Sequence, residues 1–295
     1  MYTPRRHARS EHLPIRELRY HLRRWGLDAD PAGRPPIVML HGWMDVSASF
    51  QFLVDALADD RVIVAPDWRG YGLTEGPAVD AYWFADYLGD LDAVLDAVSP
   101  GGPVDLVAHS MGGNVAMLYA GVRPQRVRRL VNLEGFGMPR SHPDKAPERL
   151  ATWLDQLRKG GRLRDYDDRP AVAEKLRRNN TRLPSDKADW LAQHWARPAP
   201  HGRFELAADP AHRLVNPHLY RVDEVTATWR RIQAPVLLVQ SDHIDHFHRF
   251  VHEPEYAERL GAIPGLSRAT VPDAGHMLHH DQPEAVARLV EDFLA

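Results

Sequence analysis

The stretch "VDLVAHSMGGNVAMLYA", residues 104–120, decides the fold. Four apolar or nearly apolar positions lead into Ser110, two glycines follow, and a small-residue helical pattern starts at once. A short apolar run bounded by turn residues reads as a strand buried on both faces of a parallel sheet. Ser110 therefore stands on a sharp corner between a strand and a helix, with Ala108 and Gly112 two residues to either side.

The same run-then-turn pattern recurs on both sides of this corner. Upstream lie "ELRYHLRRWG" with Leu18, Tyr20 and Leu22 alternating, "IVMLHG" and "RVIVAPDWRGYG". Downstream lie "RVRRLVNLEGFG", "APVLLVQSD" and "SRATVPDAGH". Helical spacing separates them. In "AYWFADYLGDLDAVLDAV", Tyr87, Leu91, Val94, Leu95 and Val98 share one face. The last helix opens at Pro283, with Val286, Leu289, Val290 and Phe293 as its apolar stripe. Strands alternating with helices predict an α/β fold, a mostly parallel twisted sheet with helices on both faces.

The alternation breaks between residues 138 and 230, where polar helical pieces and prolines replace buried strands. This segment is expected to be an inserted, mainly helical cap. The sheet-forming core is then 1–137 and 231–295, with 1–14 a flexible polar tail. Trp153, Trp190, Trp195 and Trp229 lie in the insert, where they serve either an apolar pocket or the insert's own core.

Composition narrows the function classes. With 37 Lys and Arg against 40 Asp and Glu, the net charge is −3, which supplies no attraction toward nucleic acid or an anionic membrane. There is no cysteine, hence no disulfide framework, thiolate metal site or thiol nucleophile. No apolar run reaches the ~20 residues of a membrane span. The basic start lacks the apolar segment of a secretory signal. The expectation is a cytoplasmic protein acting on a small molecule.

A serine hydroxyl becomes a nucleophile only when a base removes its proton. A serine alone at a strand–turn–helix tip is reachable by such a base, and small flanking residues let strand and helix approach. Together with "MLHGW" upstream and "DAGHML" near the end, "AHSMGG" resembles the α/β-hydrolase family over nearly the whole chain, from Leu18 onward. The resemblance implies Ser110 as nucleophile and His276 as general base, with His279 and His280 as competing histidines. It implies an oxyanion hole of the Trp43 and Met111 amides, each donor worth about 3–4 kcal/mol in the transition state. His41, Gly42, His109, Phe136, Trp153 and Trp195 are the candidates for shaping the substrate site, His41 chiefly as a brace for its loop. Relatives that put aspartate at the tip, the haloalkane dehalogenases and epoxide hydrolases, are set apart by the serine.

The third member of the set has two candidates. Many family members carry an acid after the strand that is "PVLLV" here. In "QSDHIDHF" that place falls on Ile244, with Asp242 two residues before and Asp245 one after. The other candidate is Glu134, at the end of the run "LVNLE". A charge at the end of a buried strand needs a partner, and some haloalkane dehalogenases of this fold carry their acid there. Glu134 is preferred and Asp242 is the alternative.

The expected activity is cleavage of a carboxylic ester-like bond through an acyl-enzyme, without a cofactor. The alternatives are a C–C bond hydrolase acting on a ring-cleavage diketone and a non-catalytic binding protein on the same scaffold. "DHIDHFHRFVH", with His243, His246, His248 and His252, loosely allows metal ligation, but a solvated loop is preferred and no metal is expected.

Overall fold

Why Ser110 projects from a sheet edge follows from how the strands are ordered. The computed structural model describes all residues except Met1, Leu27, Asp59, Ile244 and Asp245, together with the side chains of His246 and Phe247. In chain order the elements are β1 (Arg9–Ile15), β2 (Leu18–Trp25), β3 (Ile37–Leu40), α1 (Gln51–Ala56), β4 (Ile63–Pro66), α2 (Phe84–Val98), β5 (Val104–His109), α3 (Met111–Val122) and β6 (Val127–Leu133). Next come α4 (Ala146–Lys159), α5 (Arg169–Asn179), α6 (Ser185–Trp195), β7 (Ala196–Pro198), β8 (Phe204–Leu206) and α7 (Val222–Trp229). The chain closes with β9 (Val236–Ser241), α8 (Pro254–Gly261), β10 (Leu266–Val271), α9 (Leu278–Asp281) and α10 (Pro283–Leu294).

Eight strands form one sheet in the order β1-β2-β4-β3-β5-β6-β9-β10. From β4 to β10 every neighbouring pair is parallel, and β2 is antiparallel to both β1 and β4. The chain winds outward from β3 in both directions. The carboxyl ends of β3 and β5 therefore flank the point where strand order reverses, the usual place for a ligand crevice in such sheets.

Alternation within the strands builds two cores. Val38, Leu40, Leu106, Leu130 and Leu238 face one way, against α2, α3, α7 and α8. Ile37, Met39, Val107, Val131 and Val239 face the other way, against α1, α9 and α10. Each fully buried aliphatic side chain contributes about 1.5–3 kcal/mol. The expected helix faces are buried at Tyr87, Leu91, Val94 and Leu95, while Val98, Leu289 and Phe293 are half-buried at the rim.

A third cluster lies outside the sheet. Val172 and Leu176 of α5 and Ala188 and Leu191 of α6 pack on Val46, Ala48 and Phe52 of the segment after β3. The inserted segment is largely helical, with the short antiparallel pair β7–β8. Its last helix, α7, packs against α3 instead, with Val222, Val225 and Trp229 in the main core.

Residues 1–14 differ from the flexible tail expected. Arg9–Ile15 forms the edge strand β1 against β2. Before it, the Tyr2 hydroxyl and the amides of Arg5 and Arg6 (3.0 and 2.8 Å) donate to the largely buried Asp55 carboxylate. A half-exposed edge strand has the polar composition of a tail, and the partner that holds the residues before it, Asp55, is remote in sequence.

Candidate active site

The corner at Ser110 is tight for a reason of space. Ser110 holds φ 51° and ψ −116°, its amide donates to the Leu133 carbonyl at 2.8 Å, and α3 starts at the next residue. A non-glycine residue at such angles carries about 1–3 kcal/mol of strain, offset by surrounding structure. A Cβ on Gly112 would overlap the carbonyl oxygens of Leu40 and His41, so only glycine lets α3 pass over the end of β3. Ala108 lies fully buried, in register with Leu40 on β3 and Asn132 on β6.

Three side chains from three loops meet at this corner. Ser110 Oγ is 2.9 Å from His276 Nε2, and His276 Nδ1 is 2.8 Å from Glu134 Oε2. A carboxylate only accepts, so Nδ1 carries the proton and Nε2 turns its lone pair to the serine hydroxyl. Glu134 is 1% exposed and left-handed at φ 57°. Its other oxygen accepts from the Ser241 amide (2.6 Å) and hydroxyl (2.7 Å). The set can pass a proton from serine to imidazole while a buried anion steadies the resulting cation.

Asp242 does not reach this histidine. It is exposed, and its carboxylate accepts from the Asp273 amide at 2.9 Å and the Ala274 amide at 3.2 Å. Those amide bonds, the Asp273 one foremost, hold its pKa below the usual carboxylate value. Ile244 and Asp245 lie outside the described residues.

His109 sits beneath the corner, its Nε2–H donating to the His276 carbonyl at 2.8 Å. Burial pushes it well below the usual histidine range, so it is neutral. His248 stacks on His276 with ring centroids 4.6 Å apart at 28°. The histidine-rich stretch "DHIDHFHRFVH", expected as a solvated loop, therefore brings one of its rings against His276.

Ser110 and His276 open onto a cavity of about 530 Å³. Trp83, Phe84 and Tyr87 from the start of α2 face Trp43, Met138 and Leu214 across it. Asn114, Asn216 and His212 supply its neutral polar groups. Burial lowers His212 to about 3, and its ring lies flat between Tyr71 and Tyr82, centroids 3.8 Å from each. Among the described residues lining the cavity, none is Lys, Arg, Asp or Glu. A larger open cleft of about 1090 Å³ runs along residues 69–79, but none of Ser110, His276 and Glu134 lines it.

The oxyanion-hole candidates Trp43 and Met111 line the cavity, whereas none of the residues expected to shape the substrate site, His41, Gly42, His109, Phe136, Trp153 and Trp195, does. His41 is buried as a brace: Nε2 accepts from the Trp68 amide at 2.9 Å, and Nδ1 donates to the Gly42 carbonyl at 2.8 Å. A Cβ on Gly42 would come within 3.0 Å of His109 Nδ1 and 3.2 Å of Ser110 Cβ, so the loop after β3 presses on the corner. Phe136 is buried behind the site against His248 and Tyr256. Trp153 donates to the Asp80 carbonyl at 3.4 Å, and Trp195 packs in the insert's own core. The cavity walls come from the connecting segments 81–84 and 211–216, whose aromatic and polar residues carried no periodic pattern to mark them.

Asp67 and Arg69, two residues apart after β4, have separate partners. Asp67 binds His21 at 2.7 Å, and Arg69 grips Asp90 with contacts of 2.6 and 2.7 Å.

Residues 37–289 match the alpha/beta hydrolase family. The chain belongs to that family. It is similar to a serine hydrolase-like protein of Danio rerio, 29% identical over 99% of this chain and 90% of that protein. It is also similar to the 2-(acetamidomethylene)succinate hydrolase of Mesorhizobium japonicum, 27% identical over 88% of each. Among solved structures, a hypothetical protein of Pseudomonas aeruginosa superposes with a TM-score of 0.79, at 29% identity and 97% coverage of both chains. This chain is accordingly a hydrolase of the α/β fold. Among the described residues, no helix is long and apolar enough to cross a membrane.

Proposed function

We propose that this hydrolase is a serine esterase that cleaves a neutral carboxylic ester through an acyl-enzyme. The observation that carries the reading is the unbroken chain Ser110 Oγ–His276–Glu134, at 2.9 and 2.8 Å, opening on an uncharged cavity. In this reading His276 takes the hydroxyl proton as Ser110 attacks the ester carbonyl. The Trp43 and Met111 amides hold the oxyanion, and Glu134 steadies the imidazolium. His276 returns the proton to the leaving alkoxide. Water, activated by the same imidazole, then releases the acid.

The cavity supports a substrate class as well as a reaction. Its aromatic and aliphatic wall favours an apolar acyl group of modest size. The Mesorhizobium relative's name denotes a succinate, a dicarboxylate, and the residues lining this cavity include no arginine or lysine to receive one. Residues 138–230 act as the cap, contributing Met138, His212, Leu214 and Asn216 to the wall.

The test is a panel of p-nitrophenyl esters of rising acyl length, run beside Ser110→Ala and with a fluorophosphonate probe. We expect turnover of neutral acyl esters, lost in Ser110→Ala, and stoichiometric labelling at Ser110. Cleavage of a ring-fission diketone with no ester turnover would replace the ester reading with C–C bond hydrolysis. Absence of labelling on folded protein would favour a binding module.

A further inference from the structure

Behind the Ser110–His276 pair lies a polar cluster that ester cleavage does not use. His109 ends β5, His279 lies on α9, and Asp45 follows the Gly42–Trp43 turn; all three are buried. One ligand atom from each lies within 4.8 Å of the others. Asp45 Oδ2, His109 Nδ1 and both ring nitrogens of His279 are buried without a hydrogen-bond partner among the described residues. A buried polar atom with no partner is costly, and three such groups drawn together call for a shared one.

The geometry of the ring nitrogens suits a cation. His109 Nε2 donates to the His276 carbonyl, so Nδ1 carries no proton and turns its lone pair inward. A ligating imidazole whose far N–H rests on a backbone carbonyl is the usual second-layer arrangement of metal sites. Asp45 keeps Oδ1 on the Val46 amide at 2.7 Å, and the Ser49 side chain lies beside the same carboxyl group. His279 packs beside Phe50 and His109, with centroids 5.3 and 4.5 Å away.

We propose that Asp45, His109 and His279 form a buried binding site for one first-row divalent transition cation of the zinc class. Two imidazoles and one carboxylate match that class, whereas calcium and magnesium take oxygen ligands. Zinc bonds of about 2.0–2.2 Å put tetrahedral ligand atoms roughly 3.3 Å apart, so the side chains draw inward as the ion enters. The ion would lie directly behind the loop of the proposed oxyanion hole, since His109 Nδ1 is 3.0 Å from where a Gly42 Cβ would stand. Binding of the ion does not depend on the esterase reading, and it is tested without turnover.

The full-length chain, stripped with a chelator, is titrated with Co²⁺ and followed by visible absorption, then with Zn²⁺ in competition. We expect one equivalent of Co²⁺ with four-coordinate bands, displaced by Zn²⁺, and a thermal midpoint that rises with the ion. Asp45→Asn and His279→Gln should each weaken binding by about 100-fold or more. X-ray absorption at the zinc edge of the wild type, which needs no variant, should count two imidazoles. Failure to bind one equivalent would mean that the cluster holds only water and would overturn the proposal. So would a shell of oxygens alone, or binding unchanged in both variants, which would place the ion elsewhere, as on the histidines of residues 243–252.

Discussion

Two loops at the same sheet edge each bring a carboxylate toward His276, and they use it differently. After β6, Glu134 turns inward through a left-handed residue, with one oxygen on Ser241 and the other on the imidazole. After β9, Asp242 stays in solvent and spends both oxygens on the Asp273 and Ala274 amides, which precede His276. One acid touches the imidazole; the other shapes the loop that carries it. Proximity along the chain to a familiar motif would have favoured Asp242, whereas burial and direction favour Glu134. The largest expected effect follows. Glu134→Gln keeps the shape but can present its amide nitrogen to Nδ1 and stabilise the wrong tautomer, so kcat should fall by about 10³–10⁴-fold. Near-normal turnover in that variant, with loss in Asp242→Asn, would exchange the two roles.

Acid sharpens the comparison by separating loss of chemistry from loss of fold. Burial lowers His41 and His194 to about 4 and His212 to about 3, from an ordinary 6.5. Below pH 6.5 the unfolded chain takes up protons that these folded rings refuse. Their stability contribution is therefore complete above 6.5 and is lost as pH falls toward 3–4, by at most about 1.4 kcal/mol per pH unit for each ring. Asp45, raised by burial to about 8, works in the opposite sense, and the three rings outnumber it. The thermal midpoint should fall from pH 6.5 to 4, less steeply in His212→Gln. A midpoint flat over that range would show that these rings are protonated in the folded state.

The core was legible because its physics is local. Strands β3, β5 and β9 are covered on both faces, so each shows a short apolar run, "IVML", "LVA" and "VLLV". Ser110 and Glu134 stand directly after such runs, where a polar residue is conspicuous, whereas His276 follows the largely exposed edge strand β10 and is marked only by its turn "DAGHML". What stayed hidden depends on residues far apart in the chain. β1 is an exposed edge strand whose polar face mimics a tail. Trp83 and His212 line the same cavity from segments about 130 residues apart, and no local pattern links them. Trp153 and Trp195 were conspicuous by type, but Trp153 is tied to the Asp80 carbonyl and Trp195 packs against the cluster built by α5 and α6.

The smaller effects test how the two acids are supported. Ser241→Ala removes one of the two donors to Glu134 Oε1 and leaves the backbone amide at 2.6 Å. The carboxylate keeps its contact with His276 but loses a charge-assisted hydrogen bond, so kcat should fall by about tenfold, with KM little changed. Asp242→Asn should do least. Asparagine offers one acceptor where the carboxylate offered two, so one of the Asp273 and Ala274 amides turns to solvent. The loop relaxes without losing the Glu134 contact, and kcat at neutral pH stays within about threefold of wild type. Its stability signature has a defined sign. The folded pKa of Asp242 lies below its ordinary 3.8, so the carboxylate's contribution is complete above that value and fades below it. The wild type and Asp242→Asn should therefore differ in thermal midpoint at pH 6–7 and converge in strong acid. If Asp242→Asn instead matched Glu134→Gln in kcat, the loop after β9 would be part of the base itself, and the division of labour between the two carboxylates would fail.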